Sequence, residues 1–529
     1  MTASFSKQNR GPNFGSAPLV ANARDKIKSI DELASLANSF QAQGRNVVLA
    51  HGVFDLVHLG HVRHLEAAAR EGDLLFVTVT ADEFVNKGPG RPVFPQQLRA
   101  EMLAALECVD WVGVSRWSSA EEVISRLKPD TYVKGSDYQN EEEDLTGRIV
   151  SERETVERHG GRIVFTDDLT FSSSNLLNEH FSFLSPDVQN FLTGLRRRNA
   201  LPRILGELDA IRDMRVLIIG DAIIDEYQYA VPMGKSAKEN IIASRFSGRE
   251  VFAGGVVAAA NHVANFCAEV EIMTCLGSQE SYEDLIRDSV HDNVSVNFLT
   301  RPGVPTTRKC RFVDPGHMRK LFEVYFFDDT PINGTLEGEL CDFIAARAGD
   351  FDAVIVTDFG HGMMTRRAID SVVEHAPFLA VNAQSNSANH GFNLITRYRQ
   401  ADYVCIDEPE ARLATGDRFN ELGTLISDDL SGHIDCRRFA VTHGEKGCVT
   451  YQPGDGLHTV PAFTQQVVDT VGAGDAFLAV TAPLAARGVD METLGIVGNA
   501  VGAMKVGIVG HRQSIEKAPL MKYITALLK

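Results

Sequence analysis

No two of the eight cysteines form a CxxC pair; they lie apart at 108, 267, 275, 310, 341, 405, 436 and 448. That scatter excludes a disulfide framework or a paired-thiolate zinc site and leaves them as reduced core residues. No apolar run reaches the roughly 18 residues of a membrane span, which excludes a membrane partner of that kind. Basic charge is scarce: 52 Lys and Arg stand against 70 Asp and Glu, for a formal net charge of -18. No basic face is left to neutralise a nucleic-acid backbone, so no nucleic-acid partner is expected. Nucleotides stay open, because local backbone amides and a few cations suffice to bind them. The first 18 residues are rich in Ser, Asn and Gly and lack the apolar stretch of a signal peptide. They read as part of a disordered tail, taken as 1–25, and the cytoplasm is the expected location.

What is present is ordinary globular composition, 44% hydrophobic and 23% charged. A chain of 529 residues is too long for one core, so at least two domains are expected. Residues 26–44 read as a helix leading into a strand at 46–50. Strands at 74–80, 111–114, 131–134 and 162–166 alternate with helices at 97–106 and 120–127, the pattern of a parallel α/β sheet. The acidic run 141–144 reads as a solvated loop. Residues 181–210 read as a helical connector, within a linker at 181–212. Its Arg196-Arg197-Arg198 suits a solvated face or a phosphate grip. A second alternation starts at 215–220 and runs through strands at 353–356, 379–382, 403–406 and 439–442. Segments 231–252 and 306–327 are β-prone and could form a small layer over a site. Two doubly wound α/β domains are therefore expected, at 26–180 and 213–529.

The first chemical motif is His51-Gly52-Val53-Phe54-Asp55-Leu56-Val57-His58-Leu59-Gly60-His61, at the end of an apolar strand. Gly52 permits a turn and close approach to a ligand. His58 and His61 are three apart and share a face if helical. Near a helix N-terminus, where amides and dipole favour anions, two imidazoles can hydrogen-bond phosphate oxygens as charge develops. Such a pair also suits packing or metal binding.

The second motif is Asp469-Thr470-Val471-Gly472-Ala473-Gly474-Asp475, ahead of an apolar helix at 476–486. Small residues let several N–H groups point at one phosphate. Asp475 is then placed as a general base toward an attacking hydroxyl. A simple turn before a helix is the alternative reading.

Over roughly 46–180 the chain resembles the HxGH nucleotidyltransferase superfamily, most of all its sugar-phosphate members. Lys87, Arg91-Pro92-Val93 and Arg99 resemble that family's basic loop and following helix. Val133-Lys134-Gly135-Ser136-Asp137-Tyr138 resembles its strand-end motif, and Phe171-Ser172-Ser173-Ser174 its serine-rich helix start. The resemblance implies a Rossmann-like domain in which His58, His61 and Lys87 act on the phosphates. Gly52, Phe54, Asp55, Arg91, Lys134, Gly135, Asp137, Ser172, Ser173 and Ser174 would bind the nucleotide.

Residues 213–529 resemble ribokinase-like, PfkB-type sugar kinases, which carry a small β-lid. Gly220-Asp221-Ala222-Ile223-Ile224-Asp225 looks like the opening strand with its sugar-contacting acids Asp221 and Asp225. Gly254-Gly255 resembles the substrate-side glycine pair. The resemblance places ATP against Thr442, Gly444, Gly447 and Asn499, with an anion hole at Gly472, Ala473 and Gly474. Asp407 and Glu410 look like an NxxE element that organises Mg2+ through water, with Asp at the Asn position; both acids also suit a helix cap. ATP is implied as a substrate, and a homodimer through the β-layer.

Together the halves resemble bifunctional heptose-7-phosphate kinase/heptose-1-phosphate adenylyltransferases, with the domain order reversed. The implied partners are a sugar phosphate and a nucleoside triphosphate. Three acceptor-side positions depart from that pattern: Ala258 replaces Asn, His361 replaces Lys, and Asn382-Ala383-Gln384-Ser385 replaces Asp-Pro-Lys-Gly. Asn261 is a candidate substitute. The expected function is phosphorylation of a sugar phosphate followed by nucleotidyl transfer to a sugar 1-phosphate. The alternatives are a sensing module at the C-terminal half, or both activities on another polyol phosphate.

Overall fold

The computed structural model describes residues 22–85, 91–135, 148–166, 184–387, 389–464 and 467–529. The chain divides into two compact units, Met1–Phe181 and Ser182–Lys529. Both are doubly wound α/β structures.

In the first unit five strands form one parallel sheet: β1 (Val47–Gly52), β2 (Leu74–Thr80), β3 (Trp111–Ser115), β4 (Thr131–Gly135) and β5 (Arg162–Thr166). Their order is β3-β2-β1-β4-β5. Val47, Val48, Leu49 and Ala50 are all fully buried, as a central strand covered on both faces requires. The helix expected at 26–44 is two elements, a 3-10 turn Ala23–Lys26 and a helix Ile30–Ala42. Ser29 and Glu32 cap the latter with a reciprocal capping box, which sets its start. The order of strand addition reverses between β1 and β4, so their carboxyl ends open onto the crevice where such folds bind ligands.

The second unit holds a nine-stranded sheet and a separate four-stranded layer. The strands are β6 (Arg215–Gly220), β7 (Ala222–Lys235), β8 (Ile242–Gly255), β9 (Glu269–Gln279), β10 (Val294–Pro305), β11 (Arg308–Asp314), β12 (Arg319–Phe326), β13 (Ala353–Asp358), β14 (Leu379–Ala383), β15 (Tyr403–Asp407), β16 (Arg438–Thr442), β17 (Cys448–Gln452) and β18 (Gly456–Val460). The main sheet runs β10-β9-β6-β13-β14-β15-β16-β17-β18, and the layer runs β12-β11-β7-β8. The β-prone segments are thus two hairpins, the first beginning at Ala222, earlier than its composition suggests.

The segment read as a linker at 181–212 carries two helices, Pro186–Arg197 and Leu201–Ala210. Val188, Leu192, Leu195, Ile204 and Leu208 are buried. Both helices pack on the helix Lys517–Leu528 of the same unit. Arg196 donates to Leu527 O at 2.7 Å and Arg198 pairs with Glu492, so two of the three arginines are engaged by protein. Among the described residues, no helix is long and apolar enough to cross a membrane.

Candidate functional sites

In the first unit the motif leaves β1 and enters the helix Leu59–Ala69. His58 is that helix's N-cap, and its Nδ1 accepts from Gly60 N at 3.1 Å. The His58 and His61 rings lie 4.1 Å apart between centroids, and Phe54 meets His61 at 5.4 Å. The histidine pair therefore sits at a helix N-terminus beside the switch point, where an anion is favoured. His51 is turned inward onto Thr78 at 2.9 Å, and burial, with Lys134, pushes it down to about 3. It stays neutral.

Several expected phosphate ligands are engaged with protein. Asp55 is 2% exposed and accepts from Arg91 at 3.1 Å, Val93 N at 2.6 Å and Phe94 N at 3.3 Å. Asp55 and Arg91 thus form a buried pair that anchors the chain at 91–94. Arg99, fully buried, bridges Phe94 O, Thr80 O and Asp82, and also reaches Val53 O inside the motif. Lys134 pairs with Glu152 at 2.8 Å, at the carboxyl end of β4 where Gly135 ends the strand. Gly52 ends β1, with Phe54 beside it. Lys87, Asp137, Ser172, Ser173 and Ser174, like the acidic run 141–144, lie outside the described residues.

In the second unit the carboxyl ends of adjacent parallel strands gather the chemistry. Asp221 follows β6, Asp358 ends β13, Gln384 follows β14, Asp407 ends β15 and Thr442 ends β16. Asp475 enters from the first turn of the helix Ala473–Ala486 and is 7% exposed. Burial, aided by Asp225, raises its carboxyl above the usual range, against His511, Lys309 and Lys505. Gln384, one of the departures, donates to Asp475 Oδ1 at 2.8 Å. Gly472 precedes this helix at φ 74°, a left-handed turn that suits glycine. With Ala473, whose amide donates to Thr470 O at 3.3 Å, and Gly474 it forms a helix start of the kind that suits a phosphate.

The sugar-side acids are held differently. Asp221 accepts from Phe359 N at 3.0 Å and His361 N at 3.2 Å. Burial and the neighbouring Asp358 push it up to about 7. Burial alone would also raise Asp225, but Arg311 and His511 hold it well below the usual range. A Cβ at Gly254 would collide with Asp225 Oδ2, and one at Gly255 with Asp221 O, so the glycine pair is what lets β8 pass both acids. His361 is 5% exposed, and neither ring nitrogen has a hydrogen-bond partner among the described residues. Burial, with Lys309, pushes it down to about 3, so it is a neutral side chain facing the acceptor region. Ala258 is buried in the helix that follows the glycine pair. Asn261 bonds Ser289 O and His291 N instead, and does not reach the acids as a substitute.

On the nucleotide side, Gly444 and Gly447 bracket the short turn between β16 and β17. Asn499, expected on the helix bordering the nucleotide, donates to Val460 O at 2.8 Å and Pro461 O at 3.1 Å. Asp407 and Glu410 form a reciprocal capping box, each accepting the other's N–H. Glu410 also accepts from Ser385 N at 3.2 Å. Burial and Asp407 push Glu410 up to about 8. Asp475 acts on Glu410 in the same direction. Among the described residues no group of three His, Cys, Asp or Glu forms a direct metal cage.

Sequence reading missed Lys309, Arg311, Lys505 and His511. Lys309 and Arg311 alternate on β11, so both face the same side of the layer. Both are buried, Lys309 between Asp221, Asp225 and Asp475. Two cations at period two within a β-prone run was the available signal.

Comparison with known proteins agrees with this division. The family described as cytidylyltransferase-like matches residues 49–177. The protein named bifunctional protein HldE from Hydrogenovibrio crunogenus is 47% identical over 116 residues, 22% of this chain and 24% of that protein. Its namesake from Alcanivorax borkumensis is 40% identical over 149 residues, 27% of this chain and 30% of that protein. The chain thus matches only about a quarter of the length of these relatives. Among solved structures, a putative ribokinase from Agrobacterium tumefaciens covers 59% of this chain and 98% of its own, at 18% identity and a TM-score of 0.48. The pfkB family of carbohydrate kinases matches residues 214–518. That is more than half of the chain, and the chain belongs to the pfkB carbohydrate kinase family.

Proposed function

We propose that the chain makes a nucleotide-activated sugar in two steps. The C-terminal unit transfers the γ-phosphate of ATP to a hydroxyl of a sugar phosphate resembling heptose 7-phosphate, and Asp475 takes the hydroxyl proton. The N-terminal unit lets a sugar 1-phosphate attack the α-phosphate of a nucleoside triphosphate, by preference ATP, and pyrophosphate leaves. His58 and His61 stabilise the charge that grows on the phosphate oxygens. The observation that carries the reading is the buried Asp475 at the mouth of a glycine-turned helix, on the same chain as two histidine rings 4.1 Å apart at the start of another. Asp407 and Glu410 would hold Mg2+, which would neutralise charge on the ATP phosphates. A cytoplasmic location is consistent with the use of ATP.

Incubation with ATP, magnesium and heptose 7-phosphate is expected to yield ADP, and heptose 1-phosphate with ATP to yield pyrophosphate. Absence of ADP above background removes the heptose kinase reading. The bond from Gln384 to Asp475 favours a second reading, a C-terminal module that senses nucleotide or sugar. Tight ATP binding without turnover across a sugar panel would establish it. A product mass from a mixed panel separates a third, another polyol phosphate.

The four-stranded layer also bears on assembly. Phe322, Val324 and Phe326 project from β12 at alternate positions, and Phe246 from β8, all at least 40% exposed. A second copy of this chain is the proposed cover, since exposed apolar patches of this kind mark interfaces. Sedimentation should read a dimer that Phe322→Asp with Phe246→Asp converts to monomer; a monomeric parent protein refutes the assignment.

A further inference from the structure

Lys505 ends the helix Met491–Lys505, and its side chain is fully buried. A buried ammonium costs several kcal/mol unless it is well hydrogen-bonded. Here its partners are backbone carbonyls: Nζ donates to Val471 O at 2.8 Å and to Gly510 O at 2.7 Å. The same two residues are held from the other side by Asp469. Its Oδ1 accepts from Val471 N at 3.2 Å, and its Oδ2 from Gly510 N at 2.9 Å. One carboxylate takes both amides and one ammonium takes both carbonyls.

The position matters because Val471 immediately precedes Gly472. A Cβ at Gly472 would lie 3.5 Å from Lys505 Cε and 2.6 Å from His511 Cε1. The lysine stem therefore runs directly behind the turn that opens the Asp475 helix. The charged groups that act on Lys505 are Asp469, Asp475, Asp225 and Lys320. Burial lowers the Lys505 pKa from the ordinary lysine value and the three acids act against that, so the ammonium behind the phosphate site leans on those acids and on its two carbonyl partners. Tyr227 and Lys320, both from the four-stranded layer, complete the shell on Asp469 at 2.6 and 3.2 Å.

We propose that Lys505 is a positioning residue whose ammonium acts as a built-in monovalent cation, fixing Val471 and Gly510 so that the amides at Gly472–Gly474 stay aimed at the transferred phosphate. Its consequence for rate rests on the kinase reading above; the cation role does not. Carbonyl contacts at 2.7 and 2.8 Å suit an ion of potassium or ammonium size.

Lys505→Met keeps the stem and removes the charge, leaving an oxygen-lined hole that a small cation can enter. Phosphorylation is expected to fall about 100-fold, the scale of a lost anion-hole contribution, with acceptor KM little changed. Potassium or ammonium chloride should restore much of the rate and raise the variant's melting temperature. Lithium chloride at equal ionic strength should do neither, and the parent protein should ignore all three. A folded variant with the parent rate overturns the proposal, as does one whose rate and melting temperature no cation recovers. If the parent protein phosphorylates no acceptor while potassium still stabilises the variant selectively, the kinase reading falls and the built-in cation stands. Should Lys505→Met not fold, Lys505→Gln, which removes the charge but keeps an amide NH2 donor, carries the same comparison.

Discussion

Asp475→Asn is expected to lower ADP formation by about 10²–10⁴-fold, the usual worth of a positioned general base. Pyrophosphate release from sugar 1-phosphate should continue unchanged. Asparagine keeps the size and the oxygen that accepts from Gln384, so the helix start should survive; what is lost is the ability to take a proton. The parent enzyme also carries a pH signature. A base works ionised, and burial raises the Asp475 carboxyl. A raised value means that the ionised form is lost sooner as pH falls. Asp221, pushed up to about 7, adds to the same limb. Kinase kcat/KM should therefore decline on acidification from well above the ordinary carboxylate value of about 3.9. A profile flat to about pH 5, or loss of both activities in folded Asp475→Asn, contradicts the assignment.

Replacement of His61 by alanine should cost nucleotidyl transfer about 10²–10³-fold, as for other groups that meet charge developing in a transition state. ADP formation by the kinase site should be untouched. His58 needs a finer test, because its Nδ1 also caps the helix Leu59–Ala69. Loss of a cap costs about 1 kcal/mol of stability, so His58→Ala confounds chemistry with helix fraying. His58→Asn supplies a good N-cap without an imidazole. If His58 serves the chemistry, His58→Asn melts like the parent protein yet loses the same order of rate as His61→Ala. Recovery of the parent rate in His58→Asn would make that histidine a cap alone.

Much of this was legible along the chain because it is local. The run Val47–Ala50, the three-residue histidine spacing and the small residues of 472–474 each lie within one turn or one strand, where periodicity and residue size determine the geometry. The contacts that local pattern did not show were long-range. Asp55 and Arg91 both sit in nucleotide-like motifs, yet they neutralise each other in the core. Asn499 lies on the expected helix but spends its amide on two carbonyls. The capping-box alternative for Asp407 and Glu410 is the one the local backbone adopts. A motif names which residues are near one another in sequence; it does not say which hydrogen bonds compete for them.

By itself the sequence determined two α/β units, their order, and the presence of one histidine motif and one glycine-turned acid. Those follow from local pattern and burial. Only the tertiary structure decided what surrounds the acid. Gln384 reaches Asp475 from the end of β14, Lys309 and Arg311 arrive from the four-stranded layer, and Lys505 and Asp469 clasp Val471 and Gly510 between them. Buried charges must find partners wherever the fold brings them, and that requirement is met between segments far apart in the chain, beyond the reach of any local pattern.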